Sequence, residues 1–292
     1  MQQSVPAGRV LGGGEDMERK DWKKIILYII AVLWLLVTIM PLLYVFISSF
    51  KTNDEMYRSA LNLPIEWKWE NYLTANELGH AFRSIGNSLI VSTATTVIEV
   101  IVGMMAAYAI SRKRHIFFAR HAYMLFVVGV MVPIHSTLIP ISSMAAELGV
   151  KNNFIYLVLV YVCFNLAQGI FLFTGFLDSV SREIDEAAII DGCGDFRLLK
   201  SILLPICKPI IATEAIFSFI YAYGELVFSL TLISEPAKYT VPRAMMSFTT
   251  ELSVQMGPQY AFIIVSIIPV VIIYVLFHRQ IQSGVMSGAV KG

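Results

Sequence analysis

The amino-acid sequence predicts an all-α integral membrane protein with six transmembrane helices, and three observations carry that prediction. Hydrophobic residues make up 57% of the 292-residue chain and charged residues only 15%, against roughly 25% charged in a soluble domain. The apolar excess is gathered into runs long enough to cross a bilayer, which a soluble fold does not need. The intervals between the runs stay under about 40 residues, too short for an independent core.

Taken in order, residues 1–24 form an N-terminal tail, of which 1–20 read as flexible and without the apolar core and cleavage site of a signal peptide. Gly12-Gly13-Gly14 is followed by no Gly-Lys-Ser/Thr, so it is not a phosphate-binding loop. Residues 25–49 contain no Asp, Glu, Lys or Arg. At about 1.5 Å per residue they reach ~37 Å, enough for a first span, in which Pro41 predicts a kink. Residues 50–85 form a polar segment whose Trp67, Trp69 and Tyr72 suit a membrane–water interface.

The second span, 86–110, carries one charge, Glu99, and the third, 122–144, is interrupted by Pro133 and Pro140 with His135 between them. The fourth, 154–177, is uncharged and holds Asn165 and Gln168. A polar loop, 178–201, leads into the fifth span at 202–233, and the sixth covers 260–277. The transmembrane region is therefore 25–278, followed by a C-terminal tail, 279–292.

A net charge of +1 gives no electrostatic case for nucleic acid. Cys163, Cys193 and Cys207 form no disulfide framework, and no metal-ligand spacing links them to the histidines. Of the 22 Lys and Arg, 15 fall in the termini and in the loops between spans two and three and between spans four and five with their flanks, Lys208 included, against 7 on the other side. The excess places both termini and the 178–201 loop on the cytoplasmic side.

Within that loop Ser181 is positioned to cap a short helix, with Glu183, Asp185 and Glu186 in its first turns. Asp191-Gly192 supplies a turn, and a second short helix follows from Asp195, with Phe196, Leu199, Ile202 and Leu203 on one apolar face. Ala187 and Ala188 allow close approach of another backbone, and Glu186 offers a carboxylate. Taken by themselves these residues also fit an ordinary solvated loop.

Glu186-Ala187-Ala188, then Gly192, then Ile202 and Leu204-Pro205 resemble the cytoplasmic signature of importer-type ABC permeases. Ser48-Ser49-Phe50-Lys51, Asn71-Tyr72, Asn87-Ser88, Pro133, Pro140 and the terminal Ser287-Gly288-Ala289-Val290-Lys291-Gly292 narrow the resemblance to the carbohydrate branch, in particular the second permease of maltose-type systems. It implies a coupling-helix loop between helices 4 and 5 that docks through Glu186, Ala187, Ala188, Asp191, Gly192 and Phe196. It also implies a second, non-identical permease, two copies of an ATP-binding subunit, and an extracellular or periplasmic solute-binding protein, with the chain in a bacterial cytoplasmic membrane. ATP and Mg would sit on the ATPase, leaving this chain no cofactor and no catalytic residue. Two positions depart from the pattern: Ser181 stands where relatives often have Pro, and Tyr223-Gly224-Glu225 where they often have Trp-Asn and an acid.

Polar groups at membrane depth are costly unless they face protein or a water-filled cavity. Asn165, Gln168, Tyr221, Tyr223, Glu225 and Ser229 are thus candidates for a sugar pathway, with hydrogen bonding between helices as the alternative. Glu99 is expected to pair with a residue of the partner permease, with lining the cavity as the alternative, His135 to make an interhelical hydrogen bond in preference to relaying protons, and Glu214 to snorkel or pair with Lys208. Related readings are an importer of polyamines, phosphate or glycerol phosphate. An ion-driven secondary transporter is disfavoured because the sequence shows no evident pair of intramembrane carboxylates and no inverted repeat. A membrane enzyme is disfavoured because no nucleophile–base arrangement is visible.

Overall fold

The computed structural model describes residues 13–59, 61–113, 117–249 and 254–289. Among these, α1 (Gly13–Ser48), α2 (Asn53–Arg58), α3 (Glu70–Gly79), α4 (Ala81–Arg112), α5 (Phe117–Val130), α6 (Leu138–Glu147) and α7 (Phe154–Leu177) form the first half. The second half comprises α8 (Arg182–Ile190), α9 (Asp195–Leu198), α10 (Leu204–Ile206), α11 (Lys208–Gly224), α12 (Val227–Leu232), α13 (Val241–Met245) and α14 (Met256–Ala289). Among the described residues the one departure from helices and loops is an isolated antiparallel bridge between Thr249 and Val254.

Four described helices are long and apolar enough to cross a membrane: Lys24–Ser48 within α1, α4, α7, and Met256–His278 within α14. Two bent pairs bring the number to six if each is one crossing. The expected third span is one of them, bent by 93° between α5 and α6. Pro133 has an extended backbone there, and its ring and missing N–H stop a continuous helix. The expected fifth span is broken twice. It bends by 80° between Ile206 and Lys208, where Pro205 and Pro209 each withdraw a backbone donor, and it opens again at Glu225, whose φ of −71° and ψ of 120° are extended.

The stretch 1–20, expected to be flexible, is helical from Gly13 onward. Residues 15–24 are rich in Glu, Lys and Arg, all good helix formers, and lead without a break into the first apolar run. Residues 1–12 with Arg9, Arg114, and Val290-Lys291-Gly292 of the C-terminal signature lie outside the described residues.

α4 and α7 make the most extensive helix pairing, α11 packs against both, and α14 packs against α11. An apolar cluster at one end joins Met104 and Ala107 of α4, Phe173 and Leu177 of α7, Ala188 of α8 and Leu203. A second, at the other end, joins Ala75, Phe219, Phe248 and Phe262. α1 stands apart: it touches mainly α14, and its most apolar stretch is wholly unburied by the chain.

Candidate functional site

The 178–201 loop folds as its local signals dictate. The Ser181 hydroxyl accepts a hydrogen bond from Glu183 N at 3.3 Å and caps α8, so the residue standing in place of the common proline still fixes the helix start. Gly192 follows α8 with φ of +76°, a left-handed conformation that suits a residue without Cβ. α9 begins at Asp195.

On α8 the inward positions are Asp185 and Ala188, while Glu186, Ala187, Ile189 and Ile190 are exposed, as are Asp191, Gly192 and Phe196 beyond them. Of the proposed docking residues, only Ala188 faces the protein's own core. Phe196 does not share one face with Leu199 and Leu203, although the sequence period predicts it. Leu198, Leu199 and Leu203 face the core, and Phe196 is 74% exposed. A five-residue π turn, Leu199–Leu203, intervenes after α9 and shifts the register of the apolar positions. Sequence reasoning missed Ile190, which is 85% exposed. The signal was available, since an isoleucine at the end of a short charged helix needs a partner to cover it.

The loop is strapped to the last turn of α4. Arg112 Nε lies 2.6 Å from Asp185 Oδ2, and its Nη1 and Nη2 donate to the carbonyls of Leu177 at 3.0 Å and Val180 at 3.3 Å. Ser111 Oγ donates to Asp178 Oδ1 at 2.6 Å. Tyr108 Oη and Lys113 Nζ both donate to Asp195 Oδ1 at 3.0 Å. The Arg112–Asp185 pair is largely buried, with side-chain exposures of 6% and 11%, where an unpaired charge would be strongly destabilising.

The polar residues of spans four and five sort into separate places. Glu225 sits in the break between α11 and α12 and is 7% exposed. Its carboxylate accepts from Val227 N at 2.7 Å, Phe228 N at 3.0 and 3.1 Å, and Ser229 N at 3.2 Å. It also accepts from Tyr161 Oη at 2.7 Å. It thereby satisfies the free N–H groups that begin α12. Ser229 Oγ donates back to the Glu225 carbonyl at 3.0 Å, and Asn165 Nδ2 donates to the Tyr161 carbonyl at 2.9 Å. Tyr221 meets the Tyr161 ring edge-on, with centroids 6.0 Å apart. Glu225, Ser229, Asn165 and Tyr221 are thus brought together around Tyr161, which the sequence did not single out.

Tyr223 points elsewhere and donates to the Ser266 carbonyl of α14 at 2.8 Å. It borders a cavity of about 500 Å³ lined also by Ile220, Leu226, Met245 and Ile263. So apolar a lining offers a sugar few hydrogen-bonding partners.

Glu214 neither snorkels nor pairs with Lys208. It is fully buried beside Glu99, also at 0% exposure, because α4, α7 and α11 close on one another where Gly169 has no side chain. Glu99 Oε1 occupies the space a Cβ on Gly169 would need, and Glu214 Oε1 lies 3.4 Å from that position. Glu99 has no hydrogen-bond partner among the described residues, and Gln168, exposed on α7, lies next to Glu214. The sequence showed no paired intramembrane carboxylates, and the structure corrects this, since positions 99 and 214 are far apart along the chain and meet only through the fold. His135 is exposed, with its ring stacked 6.4 Å from Phe228, instead of making an interhelical hydrogen bond.

A family model described as "Binding-protein-dependent transport system inner membrane component" matches residues 99–286. A putative ABC transporter permease of Caldicellulosiruptor sp. is 34% identical over 94% of this chain and 98% of its own. A probable starch degradation products transport system permease of Thermoanaerobacterium thermosulfurigenes is 30% identical over 94% and 100%. A diacetylchitobiose uptake system permease of Streptomyces coelicolor is 29% identical over 89% and 86%. The crystal structure of a bacterial ABC transporter involved in the import of the acidic polysaccharide alginate superposes with a TM-score of 0.73 at 22% identity, over 94% of this chain and 100% of that one. That likeness shows the shared fold. The chain therefore belongs to the family of inner membrane components of binding-protein-dependent transport systems.

Proposed function

We propose that this chain is one of two non-identical permeases in an ATP-driven importer that carries a sugar or oligosaccharide across the bacterial cytoplasmic membrane. The observation that carries the reading is the exposed tip of the 178–201 loop, where Ile190 and Phe196 stand 85% and 74% exposed beside Glu186. Exposed apolar side chains on a rigid, capped element are what a docking surface requires. The partner is a cytoplasmic ATPase, two copies of which drive the transport cycle, since this chain has no phosphate-binding loop of its own. The distribution of Lys and Arg favours both termini and the loop on the cytoplasmic side.

The sugar assignment rests on relatives named for diacetylchitobiose, starch degradation products and maltodextrin. A solute-binding protein delivers the sugar to the outer face, ATP binding closes the two ATPases, and the loop moves with them, so the pathway opens alternately to each side. The Glu99–Glu214 pair removes one argument against an ion-driven transporter, and family membership carries that choice instead.

The test is reconstitution of the chain with its partner permease and ATPase in proteoliposomes. The expected result is ATP hydrolysis stimulated by a carbohydrate-loaded binding protein, with accumulation of labelled sugar inside. Absence of stimulation by every carbohydrate-loaded binding protein overturns the sugar assignment. Uptake by the purified chain without any ATPase overturns the whole reading.

A further inference from the structure

α4 is tied by side chains to polar segments at both of its ends, and it is a single helix of 32 residues without proline. At its C-terminal end Tyr108, Ser111, Arg112 and Lys113 hold Asp195, Asp178, Asp185 and Asp195 in turn. The contact is returned by Arg182, whose Nη2 donates to the Ser111 carbonyl at 3.3 Å. Beneath these polar links, Met104 and Ala107 share an apolar cluster with Ala188 of α8 and Leu198 of α9.

At the opposite end Asn87 Nδ2 donates to the carbonyls of Ala237 at 3.1 Å and Tyr239 at 3.0 Å. Ser88 Oγ, one residue on, accepts from Val241 N at 2.8 Å. These bonds join the first turns of α4 to the 236–241 segment that leads into α13. Sequence separations of 150 to 153 residues make them purely tertiary contacts, invisible to motif reading.

Of the loop's two covalent routes into the membrane, the N-terminal one is α7, which ends at Leu177 and packs along α4, and the C-terminal one is weaker mechanically. From α9 it runs through a π turn at Leu199–Leu203 and an 80° bend before α11. A bent, proline-flanked connection absorbs displacement at its hinge, whereas a continuous helix of this length, about 48 Å at ~1.5 Å per residue, moves as a unit.

We infer that α4 is the transmission rod of the transporter, with Arg112 and Asn87 as positioning residues that pin it to the 178–201 loop and to the 236–241 segment. Displacement of the loop moves α4 through the Arg112–Asp185 and Asp195 links, and α4 repositions the segment beyond the opposite end. In the same stroke it shifts Glu99 and the buried Ser88, Ser92 and Thr95, all of which lie along its inward side. This rests on the reading of the loop as an ATPase-docking element.

The experiment uses the full complex in nanodiscs and compares Arg112→Gln, Asn87→Ala and the charge swap Arg112→Asp with Asp185→Arg. Three quantities are read: the amount of ATPase that co-purifies, basal ATP hydrolysis, and stimulation by loaded binding protein. Asn87→Ala is expected to keep ATPase and basal hydrolysis while stimulation falls about tenfold, within the usual range of coupling between sites. Arg112→Gln, which leaves the buried Asp185 unpaired, is expected to lose at least as much stimulation and to lower the amount of complex recovered. The double variant Arg112→Gln with Asn87→Ala is expected to lose no more than the worse single one, because both pins lie in series on one rod. The charge swap is expected to restore part of the stimulation.

Full stimulation in Asn87→Ala overturns the inference, and so do losses that multiply in the double variant. If Arg112→Gln fails to insert, Asn87→Ala alone decides, since its side chain is half-buried and leaves no charge unpaired. Failure of the unaltered chain to hold any ATPase is a different outcome and overturns the docking reading itself.

Discussion

Glu225→Ala tests whether the break in the fifth span is built by this one carboxylate. The substitution removes the acceptor for the N–H groups of Val227, Phe228 and Ser229 and for the Tyr161 hydroxyl. Each buried donor left unsatisfied costs about 1–3 kcal/mol, so four of them at the low end come to about 4 kcal/mol by that measure. Glu225→Gln keeps one acceptor oxygen and is expected to lose roughly half as much, about 2 kcal/mol, by the same reckoning. Tyr161→Phe removes one donor together with its need for a partner and is expected to cost about 1 kcal/mol. The assay is thermal unfolding followed by a thiol-reactive dye, because Cys207 is fully buried and becomes reactive only as the bundle opens. Cys163 and the half-buried Cys193 are replaced by serine beforehand, so that Cys207 alone reports. The expected order of melting temperatures, highest first, is the unaltered chain, Tyr161→Phe, Glu225→Gln, Glu225→Ala. If Glu225→Ala melts with the unaltered chain while sugar uptake is lost, the carboxylate serves the pathway and the capping argument is wrong.

Other outcomes follow from the same structure. Gly169→Ala drives a methyl group into Glu99 Oε1 and is expected to cost about 1–3 kcal/mol by overpacking. Glu99→Ala should relieve it, which a double-mutant cycle of melting temperatures would read as strong coupling between the two sites. Glu55 accepts from Thr52 N at 2.8 Å in a capping box ahead of α2, and this hydrogen bond holds its carboxyl below the ordinary value of 4.5. A depressed folded value means stability present above pH 4.5 and lost as pH falls through the folded value. Melting curves of Glu55→Gln taken across that acidic window should therefore be flatter with pH than those of the unaltered chain. Ile190→Asp and Phe196→Ser are expected to reduce ATPase co-purification while the chain remains inserted, as are Glu186→Lys and Gly192→Val. For Gly192→Val the positive φ adds backbone strain of about 1–2 kcal/mol. Unchanged ATPase recovery in all four would remove the loop from the docking surface.

What could be read along the chain is what depends on near neighbours. The fourth span predicted at 154–177 coincides with α7, because an uncharged run bounded by polar residues has its ends marked locally. Ser181 as a cap and Gly192 as a turn were legible for the same reason, since each acts on a backbone group within a few residues. The inward and outward faces of the loop were only half legible. A steady 3.6-residue period put Phe196 on one face with Leu199 and Leu203. The π turn over Leu199–Leu203 changes that period, so the two leucines turn inward without the phenylalanine.

The sequence by itself determined the membrane class, the ends of the fourth span, the cap and turn within the 178–201 loop, and the family to which the signature at Glu186 belongs. Only the tertiary structure decided what the buried polar groups do. Glu225 became a cap because the chain opens after Gly224 and Tyr161 approaches from another helix. Glu99 and Glu214 met because three helices close on a glycine, and Arg112 found Asp185 across a loop. A side chain's composition and depth state its cost of burial, whereas the partner that offsets the cost comes from wherever the fold brings one.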